Sequence, residues 1–77
     1  MNSLDDEVYD LRGLKCPHPA IKTEKRLRGM PRGAVLTVET TDPLATIDIP
    51  HLCNEQGHAL LASEKTERGH RFTIRRG

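Results

Sequence analysis

The residues with the greatest chemical potential are Cys16-Pro17-His18-Pro19. A cysteine thiolate is a nucleophile whose reactivity follows its pKa and its accessibility, and it exchanges sulfur bonds directly with other thiols. The residue before a proline is pushed out of the α region toward extended geometry, the geometry an N-cap requires. Pro17 and Pro19 suit a helix's first turn, where backbone N–H groups lack intrahelical partners. Together these features predict Cys16 as the N-cap of a helix, with its sulfur facing the positive end of the helix dipole. Such a dipole is worth about 0.2–0.7 pKa unit at the surface, and Lys15 and His18 would add to it. The expectation is a thiol pKa modestly below the free value of about 8.5.

Two details temper a strongly activated nucleophile. The prolines carry no N–H, so the first turn offers only alternate donors, chiefly His18 and Ala20. His18 itself precedes a proline, which argues for a helix start one turn later. The prolines then act as rigidifiers that hold the thiol outward at a defined angle. Enzymes that use a nucleophilic cysteine pair it with a positioned base and an orienting group. Here His18 is near in sequence but no third member is identifiable. Turnover of a small bound substrate is therefore not expected, whereas sulfur exchange between proteins needs only a thiolate and a docking surface.

The elements that would position this thiol can be read along the chain. The 77 residues make one domain, 1–77, with its core over about 8–76. A domain of this length buries roughly 60 % of its unfolded surface, so its core is thin and reactive groups belong at the surface. Glu7 to Leu11 is a weak strand ending at Arg12-Gly13. Ala20, Thr23, Leu27 and Met30 fall on one helical face, and Gly29, Pro31 and Gly33 stop that helix. Ala34 to Thr40 is β-branched and reads as a buried strand. Thr41-Asp42-Pro43 supplies a cap with proline at the first helical position. Pro50 implies either a break in the second helix or a second start capped by Asp48. Ile49, Leu52, Cys53 and Gln56 form its inward face, and Gly57 ends it. His58 to Lys65 and Arg71 to Arg75 are strand-like, joined by a hairpin connection over 66–70. The order β-α-β-α-β-β predicts an α+β, two-layer sandwich: a four-stranded mixed sheet with two helices on one face.

Composition narrows the function classes. Two cysteines are too few for a disulfide framework, and Cys53 on the inward helical face is expected to be a small buried hydrophobe. Met1 to Glu7 is polar and acidic with no apolar run, and nothing approaches the roughly 20 apolar residues of a membrane span. A cytoplasmic protein with reduced thiols is expected, without contact with a membrane. The four histidines, His18, His51, His58 and His70, have no metal-ligand spacing, so neither metal nor cofactor is expected. Formal net charge is only +1. Its distribution is uneven: Asp5, Asp6, Glu7 and Asp10 crowd the N-terminus, and Lys22, Lys25, Arg26, Arg28 and Arg32 follow the cysteine. Lys22, Lys25, Arg28 and Arg32 are candidates for docking an acidic patch on a partner. The alternative is an RNA-binding or regulatory module using this basic helix. Against it stand the near-neutral charge and only Tyr9 and Phe72 for base stacking, so direct nucleic-acid binding is not expected.

Four blocks in order and spacing give the sequence a family resemblance: Leu11-Arg12-Gly13-Leu14-Lys15-Cys16-Pro17-His18-Pro19, Thr41-Asp42-Pro43, Asp48-Ile49-Pro50 and Gly57-His58-Ala59-Leu60. Over about Val8 to Arg76 the chain resembles the TusA/SirA-like sulfur carriers. The resemblance implies a βαβαββ sandwich that carries sulfane sulfur as a persulfide on Cys16, within a motif comprising Gly13, Pro17, His18 and Pro19. It implies a cysteine desulfurase or rhodanese as donor and a downstream acceptor protein; the chain itself is expected to be a monomer. Sulfur in this family goes to tRNA thiolation, molybdenum cofactor assembly or sulfur oxidation. His18 stands where the tRNA-thiolation members often carry glutamate.

Overall fold

The computed structural model describes residues 8–77. The acidic residues Asp5, Asp6 and Glu7, with the start expected for the first strand, lie outside the described residues. The elements are β1 (Val8–Asp10), α1 (His18–Arg28), β2 (Val35–Thr40), α2 (Ala45–Gln56), β3 (Ala59–Lys65) and β4 (His70–Arg75). They form one four-stranded sheet in the order β1-β2-β4-β3. β1 pairs with β2 in parallel, while β2–β4 and β3–β4 are antiparallel. The expected α+β arrangement is the one observed.

Alternation along the strands explains why one face is covered. In β2, Leu36, Val38 and Thr40 are buried while their neighbours are half-buried. Leu36 pairs with Ile74 and Val38 with Phe72, so the four apolar side chains share one face of the sheet. Against that face pack Leu27 of α1 and Ala45, Ile49 and Cys53 of α2, with Leu11 closing the end beyond β1. Fully burying a side chain such as Leu27, Ile49 or Phe72 contributes about 1.5–3 kcal/mol relative to leaving it exposed. Thr23 and Leu27 of the expected stripe are buried. Pro19 takes the innermost place at the helix start where the spacing predicts Ala20, Ala20 is only partly covered, and Met30, also partly covered, lies beyond the end of α1.

The second helix departs from expectation in three ways. It begins at Ala45 with Leu44 as its N-cap, so Asp42 and Pro43 lie in the turn before it instead of filling the cap and first helical position. In that turn Asp42 Oδ1 accepts the Leu44 N–H. Pro50 neither breaks it nor begins a new one; α2 runs unbroken from Ala45 to Gln56 with Pro50 inside. Pro50 forgoes one backbone hydrogen bond, and the burial of Ile49, Leu52 and Cys53 on either side holds the segment helical. Gln56 is exposed, so the inward face comprises Ala45, Ile49, Leu52 and Cys53. Gly57 terminates the helix at φ 78°, a left-handed conformation that glycine adopts without steric cost, and the His58 N–H returns to the Cys53 carbonyl.

The parallel pairing of β1 with β2 has a consequence for function. Their carboxyl ends lie side by side, so the loop after β1, carrying Cys16, abuts the loop after β2, carrying Asp42. Loops at the carboxyl ends of neighbouring parallel strands are a recurrent location for binding and reactive groups.

Candidate active site around Cys16

Tight local bonds set the path from β1 to Cys16. The Leu11 N–H donates to the Glu39 carbonyl at 2.8 Å, extending the β1–β2 ladder by one residue. Arg12 then folds back on Asp10 with two side-chain hydrogen bonds of 2.8 and 3.0 Å. Those bonds hold the Asp10 carboxyl down at about 2. Gly13 turns the chain at φ 87°, where a side chain would be strained, and its N–H donates to Thr41 Oγ1 at 2.9 Å. Gly13 makes the turn and ties the two loops together.

Asp42 makes the second tie. Its Oδ2 accepts the backbone N–H of Cys16, while its Oδ1 accepts the N–H of Leu44 at 3.2 Å. One carboxylate thus starts the turn into α2 and fixes the cysteine backbone. The Asp42 N–H in turn donates to Thr40 Oγ1 at 3.1 Å, and Thr40 is buried at the end of β2. Rigid presentation of Cys16 therefore rests on a chain of bonds into the core as well as on Pro17 and Pro19.

The helix start differs from the sequence expectation. Pro17 occupies the N-cap, the Cys16–Pro17 bond is cis, and α1 begins at His18 rather than a turn later. The His18 N–H bonds the Lys15 carbonyl at 2.8 Å. Pro19 points into the core, whereas Pro17, His18 and Lys15 are exposed.

The ionisation of Cys16 also differs, and in sign. Its Sγ donates to Asp48 Oδ2 at 2.9 Å. That hydrogen bond, followed by desolvation and by the negative charges of Asp48 and Asp42, pushes the thiol up from its ordinary value. The expected lowering is overturned because the sulfur's immediate neighbour is a carboxylate from α2. Sequence reasoning missed Asp48 because it lies 32 positions away and read as a helix cap. The available signal was that Asp42 and Asp48 both fall in the Thr41-Asp42-Pro43 and Asp48-Ile49-Pro50 blocks that carry the family resemblance.

Cys16 is exposed and lines an open groove between α1 and α2, of about 310 Å³, with Pro17, Ile21, Asp48, His51 and Leu52 among its walls. Ile21 is 53 % exposed there, an apolar contact available to a docked surface. Cys53 is 2 % exposed and its thiol is pushed up by burial, which gives it the core role its position predicts.

The candidate docking residues do not form one patch. Arg28 and Arg32 line a separate recess that shares Glu24 and Gln56 with the Cys16 groove, so that recess adjoins the groove. Lys22 and Lys25 lie on a different side of α1, beside Tyr9 and Gly29.

A small α+β sandwich with an exposed, backbone-anchored thiol at the mouth of an open groove defines a thiol-presenting domain suited to protein-borne chemistry. The family model of sulfurtransferase TusA matches residues 7–76, and the chain belongs to that family. Its family role is that of a sulfur carrier and sulfurtransferase, exchanging sulfur with donor and acceptor proteins. No helix among the described residues is long and apolar enough to cross a membrane.

Proposed function

We propose that Cys16 is the sulfur-bearing residue of this chain. It accepts sulfane sulfur as a persulfide from a cysteine desulfurase or rhodanese and passes it to an acceptor protein in the cytoplasm. The observation that carries this reading is the contrast between the two thiols. Cys16 is exposed and anchored through its own N–H to Asp42, whereas Cys53 is buried. Gly13, Pro17 and Pro19 hold the loop, and His18 is exposed at the helix start two residues after Cys16. The open groove lets a partner bring its reacting sulfur to Cys16. Arg28 and Arg32, in the recess adjoining that groove, supply positive charge for a partner's acidic surface, and Lys22 and Lys25 are set apart from it. The acceptor lies in tRNA thiolation, molybdenum cofactor assembly or sulfur oxidation. Incubation with a desulfurase and cysteine should add one sulfur to Cys16, located by peptide mass spectrometry. Sulfur carried on Cys53 alone, or loading unaffected by Cys16→Ser, would overturn the proposal.

A further inference from the structure

The groove brings a second reactive group to the sulfur. We infer that Asp48 is the proton acceptor for Cys16 during sulfur transfer, and that in the empty carrier it stores the thiol in its protonated, unreactive form. The inference rests on the sulfur-carrier reading of Cys16 and extends it to the chemistry of the transfer step.

Three observations carry it. The Cys16 S–H donates to Asp48 Oδ2 at 2.9 Å, a direct proton path between the two reacting groups. Asp48 is half-buried on α2, an element that packs against α1, so its carboxylate is placed by the fold rather than by a mobile loop. Asp42 independently fixes the Cys16 backbone, which holds the sulfur within reach of Asp48. The other titratable groups around the groove are Glu24 of α1 and His51 and Glu55 of α2, with Lys15 and His18 flanking Cys16 in the chain. His51 is engaged with Glu55 at 3.5 Å, which leaves Asp48 as the carboxylate bonded to the sulfur.

The transfer step balances without an external oxidant. A donor protein presents a persulfide, R–S–SH. Cys16 Sγ attacks the outer sulfur as its proton moves to Asp48 Oδ2. The Sγ–S bond forms, the donor S–S bond breaks, and the donor departs as a thiolate that takes the proton from Asp48. The products are R–SH and Cys16–S–SH, and the sulfane sulfur keeps its oxidation level throughout. A carboxylate is much less basic than a thiolate. The proton therefore leaves Cys16 only as the new bond forms, and free thiolate does not accumulate on the empty carrier. That protects an exposed thiol from oxidants and adventitious disulfide formation, whose rates follow thiolate character. In the loaded carrier the terminal sulfur stands about 2.05 Å beyond Sγ. The carboxylate then disfavours negative charge folding back toward it and favours outward presentation to the acceptor.

The test is Asp48→Asn, which nearly preserves shape and can still accept the S–H hydrogen bond but removes the charge and the basicity. Two rates are measured: alkylation of Cys16 by iodoacetamide as a function of pH, and sulfur uptake from a loaded desulfurase. With the negative neighbour removed, the alkylation profile should move to lower pH and the rate at pH 7.5 should rise several-fold. Sulfur uptake should slow about tenfold or more, in line with the loss of a general base. Asp48→Glu should restore both toward wild type, which also keeps the test available if the asparagine variant folds poorly. Opposite movement of the two rates supports the inference, because a merely structural disturbance would not speed one and slow the other. Unchanged rates, or a fall in both, would overturn it. Failure of wild type to load Cys16 at all would instead overturn the carrier reading.

Discussion

Thr23 offers a quantitative check on the packing that positions the site. It lies on the inward stripe of α1 between Pro19 and Leu27, is 0 % exposed, and its Oγ1 has no hydrogen-bond partner among the described residues. A buried hydroxyl without a partner costs about 1–3 kcal/mol of desolvation. Thr23→Val removes that cost with nearly the same shape, and threonine and valine have similar helix propensities. The slightly larger methyl group must fit a packed interior, which offsets part of the gain. A net stabilisation of about 1 kcal/mol is expected, equivalent to about 4–8 °C in Tm for a domain of this size. Thr23→Ser should move the other way by about 1 kcal/mol, since it keeps the hydroxyl and loses a buried methyl group. Urea denaturation and calorimetry of both variants decide the matter, with an unchanged m-value marking a change in the folded core alone. A valine variant no more stable than wild type would refute the reasoning, by showing that the hydroxyl is satisfied in solution.

Two further outcomes follow from the geometry. A Cβ added at Gly69 would meet the Thr40 carbonyl at 2.0 Å and Thr41 Cα at 2.7 Å, both backbone atoms. Gly69→Ala should therefore destabilise the fold by about 1–3 kcal/mol. Because Thr40 supports Asp42 and Asp42 holds Cys16, it should also alter the Cys16 alkylation rate; unchanged melting and alkylation would count against this linkage. Reversing charge at Arg28 and Arg32 together removes one exposed pair with Glu24, worth about 0.3–0.5 kcal/mol, and should leave the fold intact. Sulfur uptake should slow and lose salt dependence, and an unchanged rate would discard that docking surface.

The sequence was informative where local patterns decide structure. The β-branched run from Ala34 to Thr40, the stripe of Thr23 and Leu27, and the glycine stop at Gly57 each follow from residue type and spacing, and with the element order they specify the sandwich. Pro50 misled because propensity is local, whereas the burial of Ile49, Leu52 and Cys53 that keeps α2 continuous is tertiary. The site divided along the same line. Cys16 was legible as an exposed thiol at a helix start because the prolines beside it act locally, but its N-cap placement was not, and the Asp42 bond that anchors its backbone comes from 26 positions away. The sign of its pKa shift was not, because it depends on Asp48, which only the packing of α2 against α1 brings to the sulfur. Chain-local reasoning saw the helix dipole and missed the carboxylate.

The central claim is that Cys16 carries the sulfur. Intact-protein and peptide mass spectrometry after incubation with a desulfurase and cysteine tests it most directly. One added sulfur should appear on the peptide containing Cys16, disappear on reduction, and be absent from Cys16→Ser. Sulfur found only on the Cys53 peptide, or loading that persists in Cys16→Ser, would contradict it.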